Sequence, residues 1–184
     1  MALKSTIHRV QLQVADMDRH YYAEHALTVA QHPSETDERM MVRLLAFALN
    51  ADDALAFGRG VSTEDEPDLW IKDLTGAIDL WIQLGQPDEK SLRRACGRAR
   101  HVILYLYSGH GARIWWDALA GRLAALDNLT VVDVAPATVQ SLAGLAAKNM
   151  TLNATLQDGM VWIADGDQAV EVALEVLKAA TRPA

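Results

Sequence analysis

The run GAIDLWIQLGQPDEKSLRRACGRARHVILYLY, residues 76–107, constrains the fold more than any other part of the chain. Two apolar, β-rich segments flank one amphipathic helical segment. Strands separated by a helix pair side by side in parallel, through a right-handed crossover. Pro87 falls near the first helical position, with Asp88 and Glu89 where the helix dipole favours acids. Leu92, Ala95, Cys96 and Ala99 form the apolar side, and Lys90, Arg93, Arg94 and Arg98 the basic side. HVILYLY has no polar alternation, which predicts a strand covered on both faces.

The other segments build around this unit. TIHRVQLQV alternates, with His8, Val10, Leu12 and Val14 on one side, and predicts a strand with one wet face. HYYAEHALTVAQH returns antiparallel to it after ADMDR, or forms a short helix. HPSETDERMMVRLLAFALN predicts a helix capped by Ser34, with Met40, Met41, Leu44, Leu45 and Ala48 as its stripe. A polar connection follows, its acidic end from Glu64 to Asp68 solvated. LWIKDLTGAIDLWIQLG then predicts a hairpin. Farther on come a helix (ARIWWDALAGRLAAL), a strand (LTVVDVA), a helix begun near Pro136 and a hairpin over Asp158-Gly159. AVEVALEVLK is open between strand and helix. The expected fold is α/β, one domain over 1–184 with a mixed central sheet flanked by helices.

Charge narrows the function. With 17 Lys and Arg against 24 Asp and Glu, the net charge of -7 opposes long-range attraction to nucleic acid or an anionic membrane, so a nucleic-acid site needs a local basic patch. The single cysteine, Cys96, cannot form an internal disulfide. No apolar run reaches the length of a membrane span, and the amino terminus lacks an apolar signal core, so a cytoplasmic location is expected. The six histidines lack zinc-ligand spacing.

Asp79 stands in the middle of an apolar strand. Side-chain alternation puts Asp79, Trp81 and Gln83 on one face, and a hairpin turning at Leu74-Thr75 puts Asp68 near Trp81 on that same face. Two converging carboxylates suit a hard divalent cation, Mg²⁺ or Mn²⁺, and metal-assisted phosphodiester cleavage. Pro67-Asp68 followed by Asp79 resembles the PD-(D/E)xK nuclease motif. Nearly the whole chain resembles the bacterial YaeQ family through HPSETDERMMVRLLAFAL, EPDLW, IDLWIQLGQPDE and MTLNATLQDGMVWI. That family is similar to a divergent branch of the nuclease superfamily, which implies a restriction-endonuclease-like core with additional strands. The resemblance implies metal ligands at Asp68, Asp79 and Gln83, with Glu38 in support. Trp81 stands where the motif has Lys, so the missing cation would come from Lys90 or Lys72.

Plainer readings accompany these. Glu38 in a first turn is also a dipole partner. Arg39 and Arg43 can bind phosphate or pair with Glu35, and Arg94 and Arg98 can contact a nucleic-acid backbone or form the wet side of a helix. Ser108-Gly109-His110-Gly111 lacks the full pattern of a nucleophile or phosphate loop. Two functions therefore stand: a divergent metal-dependent phosphodiesterase, or a non-enzymatic module binding nucleic acid or a protein partner, linked to transcription.

Overall fold

The computed structural model describes residues 3–59 and 65–182. Glu64, expected in the solvated acidic connection, lies outside the described residues. The first elements are β1 (Thr6–Asp16), β2 (Tyr21–Gln31), α1 (Asp37–Leu49), β3 (Ala56–Phe57), β4 (Leu69–Lys72), β5 (Ile78–Leu84), α2 (Glu89–Arg98) and β6 (Ala99–Leu106). There follow α3 (His110–Leu123), β7 (Leu129–Val134), α4 (Pro136–Ala143), β8 (Asn149–Gln157), β9 (Met160–Ala164), β10 (Ala169–Glu171) and β11 (Leu174–Lys178). They fall into two compact units, Met1–Ala51 with Ala137–Ala173, and Asp52–Pro136 with Leu174–Ala184. The fold is mixed α/β as expected, but it holds two mixed sheets rather than one central sheet. Among the described residues no helix is long and apolar enough to cross a membrane.

The first unit carries a five-stranded sheet in the order β10-β9-β8-β1-β2. β1 pairs antiparallel with β2 and parallel with β8. The alternation of β1 works as expected: His8, Val10, Leu12 and Val14 are buried while Arg9, Gln11 and Gln13 face water. Asp158 and Gly159 both take positive φ, the geometry a two-residue hairpin requires between β8 and β9. On the inner side, Leu12, Leu152 and Ile163 meet Met41, Leu44 and Leu45 of α1 and Leu142 of α4 around a small apolar cavity.

Helix α1 is capped by Thr36, not Ser34. The Thr36 side chain accepts from the Arg39 N–H, whereas the Ser34 hydroxyl lies 2.6 Å from His32 Nδ1. Burial extends around the helix from Met40 to Ala48 and includes Arg43.

Asp16, at the end of β1, is buried and accepts from Arg19 Nε at 2.6 Å and from the Arg19 N–H at 3.0 Å. Burial pushes its carboxyl up, but the hydrogen bonds and charge of Arg19 outweigh this and hold it below its ordinary value of 3.8. A depressed folded-state value means the contribution is fully present above 3.8 and disappears as pH falls through the folded value. Asp16→Asn is expected to cost about 1–3 kcal/mol at neutral pH. Urea midpoints of variant and wild type should then draw together as the carboxyl is protonated.

The second unit carries a six-stranded sheet in the order β11-β7-β6-β5-β4-β3. The predicted strand, helix, strand unit forms as read: β5 and β6 are parallel, and β7 adds a third parallel strand after α3. Asp88 caps α2 by accepting from the Ser91 N–H at 2.7 Å, so Pro87 lies one residue before the cap. Trp81, Leu92, Ala95, Val102, Leu104 and Trp116 belong to one apolar core. AVEVALEVLK is neither one strand nor a helix. It divides into β10 and β11, which join different sheets.

Candidate functional site

The β4–β5 hairpin sets the position of every acid in the expected metal site. Its turn is held by Asp73, whose Oδ1 accepts from the Thr75 N–H at 2.8 Å, the Thr75 hydroxyl at 2.6 Å and the Ala77 N–H at 3.0 Å. Gly76 takes the positive φ of 86° that closes it. The register pairs Leu69 with Ile82, Trp70 with Trp81 and Ile71 with Leu80, then shifts before Lys72. Asp68, one residue before Leu69, therefore stands opposite Gln83, not Trp81.

Alternation keeps Asp79 and Gln83 on a common face of β5, while Asp68 precedes β4; Asp79 lies four residues from Gln83 along β5, about 13 Å at the rise of an extended strand. Ligand oxygens must approach a divalent cation to about 2.0–2.6 Å, so Asp68 and Asp79 do not share one. The expected convergence is corrected by the register: Asp68 stands opposite Gln83, with its carboxylate on the Leu84 N–H, and Asp79 stands four residues away. Among the described residues no group of three or more His, Cys, Asp or Glu is arranged to hold a metal.

Asp79 is explained by Arg100. The parallel register pairs Ile78 with Ala99 and Leu80 with His101, which puts Arg100 of β6 beside Asp79. Arg100 Nη1 lies 3.0 Å from Asp79 Oδ1, and its Nη2 lies 3.7 Å from Asp73. The Asp79 oxygen is shielded from solvent and receives no well-directed hydrogen bond despite this closeness, so its compensation is chiefly charge. The pair is partly exposed, with side-chain exposures of 66% and 36%. Asp79→Asn should accordingly change the unfolding free energy by no more than about 1 kcal/mol, measured by urea denaturation.

Asp68 closes the other end of the hairpin. Its Oδ2 accepts from the Leu84 N–H at 2.8 Å, its own N–H donates to the Ile82 carbonyl, and its carbonyl accepts from the Gly58 N–H. Gly58 is required here because a side chain would collide with the Pro67 carbonyl. Gln83 Oε1 accepts from Trp81 Nε1 at 3.3 Å. Trp81 meets Trp70 edge to face, Lys72 Nζ sits 3.6 Å from the Trp70 ring centroid, and the Arg98 guanidinium lies 5.2 Å from that of Trp81. Lys90 is exposed in the first turn of α2, while Glu38 lies in the first turn of α1, in the first unit.

The expected phosphate contacts are largely occupied. Arg43 is buried; its Nε and Nη2 donate to the two oxygens of Glu35 at 2.8 and 2.7 Å, and Nη2 also donates to the Ala30 carbonyl. Arg39 donates to Glu35 at 3.0 Å. Arg43 is thus a structural group rather than a phosphate ligand. On α2, Arg93 pairs with Glu89, Arg94 lies 3.7 Å from Asp65, and Arg98 donates to the Asp65 carbonyl. Arg100 was missed by reasoning on the β5 strand alone; its signal was the parallel register, which brings the first residues of HVILYLY and those before it alongside Asp79.

The YaeQ protein family model matches residues 1–174. The chain is 45% identical to the YaeQ protein of Salmonella typhi over 174 residues, covering 95% of this chain and 96% of that one. The corresponding identity to Escherichia coli (strain K12) YaeQ is 42%, with the same coverage. The crystal structure of YaeQ from Xanthomonas axonopodis pv. citri superposes with a TM-score of 0.92 at 48% identity, covering 95% of this chain and 99% of that one. That of Pseudomonas syringae YaeQ gives 0.91 at 34% identity, with coverages of 97% and 98%. The chain belongs to the YaeQ family.

Proposed function

We propose that the chain is a non-catalytic module that binds another protein. The observation that carries this reading is the pairing of the very charges that phosphodiester chemistry would need. Asp79 is compensated by Arg100, Asp68 by the Leu84 N–H, and Arg39 and Arg43 by Glu35. The basic side of α2 is likewise met by Glu89 and Asp65, which lowers the counterion release a nucleic-acid contact would exploit. Protein surfaces bind through apolar and neutral hydrogen-bonding contact instead.

One observation favours the second reading, a divergent nuclease-like phosphodiesterase. Asp68 stands opposite Gln83, and two oxygen donors can begin a Mg²⁺ or Mn²⁺ site, with Lys90 as the cation the motif lacks. Labelled single-stranded and duplex DNA and RNA, incubated with the protein and either metal, separate the two. The module reading expects no cleavage above buffer and no salt-dependent retention. Cleavage lost in Asp68→Ala would overturn it.

A further inference from the structure

We infer that the partner is a second copy of this chain, docked on the solvent-facing side of the β10-β9-β8-β1-β2 sheet; this rests on the protein-binding reading. The inner side of that sheet is covered, as Val10, Leu12, Met150, Leu152 and Ile163 are each 5% exposed or less. The outer side is open. At its centre Gln11 and Gln13 of β1 sit beside Thr151 and Asn153 of β8, all exposed. Toward one end of the strands stands Ile7, and toward the other Tyr22 and Met160, 45%, 62% and 45% exposed, single apolar groups at the rim of the polar centre.

Charge selects the occupant. In a chain of net charge -7, copies repel one another over most of their surface. On this face the strands present only Arg9, Glu24 and Glu171 as charged residues. Arg9 stands toward one end of the strands, and Glu171, paired with Trp162, toward the other. A two-fold relation that reverses strand direction keeps each strand over its own copy, so Arg9 of β1 comes over the far end of the β1–β2 pair of the second copy, where Glu24 stands beside Gln13. Amide side chains both donate and accept, so a Gln and Asn surface is complementary to itself, as an isologous contact requires.

Size agrees. Strands of 11, 11, 9, 5 and 3 residues, spaced about 4.8 Å apart with a rise of about 3.3 Å, cover roughly 600 Å² in projection, the lower end of what a stable interface takes from each partner. A standard stable interface takes about 800 Å² from each partner.

Sedimentation velocity on the full chain across a micromolar concentration series tests this. The expected result is a monomer–dimer equilibrium that Gln11→Glu with Asn153→Glu weakens about tenfold or more, like charges then facing each other near the two-fold axis. Gln11→Lys with Asn153→Lys should weaken it similarly, and mixing the two double variants should restore association. Ile114→Glu, exposed on α3 of the other unit, should leave it unchanged. A monomer at every concentration, or a dimer indifferent to these changes, overturns the inference. The nucleic-acid assays judge the protein-binding reading separately.

Discussion

Glu35→Ala is expected to lower the free energy of unfolding by about 3–5 kcal/mol, because it strands the buried Arg43 guanidinium without its carboxylate. The side chains of Glu35 and Arg43 are 2% and 6% exposed, so water does not replace the lost partner. Arg39, 18% exposed, loses its own contact in the same step. Double replacement by apolar residues, Glu35→Leu with Arg43→Met, should cost much less than either single change predicts, since no uncompensated charge remains. Denaturant unfolding of the wild type, Glu35→Leu, Arg43→Met and the double variant measures this coupling. Additive losses would show that the pair is solvated rather than buried.

Trp81→Ala is expected to cost about 3–5 kcal/mol, the range for removing a large aromatic from a core. Trp81 is 4% exposed and belongs to the core beneath α2 and α3, with Leu92, Leu104 and Trp116. Its ring also contacts Trp70 and Arg98, and its indole N–H donates to Gln83. The residue that departs from the nuclease motif is thus a core residue here. Trp81→Lys, which restores the motif, should destabilise rather than activate, because the ammonium would enter an apolar core next to the Arg98 guanidinium while the neighbouring Asp79 is already paired with Arg100. Thermal unfolding and the cleavage assay on this variant distinguish the two outcomes.

The strand, helix, strand order was legible because each element carries its own signal: apolar runs, an amphipathic period and a capping acid within one contiguous segment. The β1 alternation and the Asp158-Gly159 turn were legible for the same reason. Two sheets could not be distinguished from one, because β1 pairs with β8 from more than a hundred residues away and nothing local in either strand names its partner. The division of AVEVALEVLK between sheets is likewise set by partners outside it. At the candidate site, the shared face of Asp79 and Gln83 followed from alternation, whereas the separation of Asp68 and Asp79 depended on register. A shift of two residues there preserves the face and moves an acid by about 7 Å. Ser34 and Thr36 are both competent caps by type, and the competing contact of Ser34 with His32 decided between them.

Calorimetric titration of the protein with Mn²⁺, alongside Asp68→Ala and Asp79→Asn, tests most directly whether these acids serve the fold or a metal. If Arg100 and the Leu84 N–H are their partners, no saturable heat appears up to millimolar Mn²⁺ in any of the three proteins. One ion bound per chain, lost in both variants, would contradict the account.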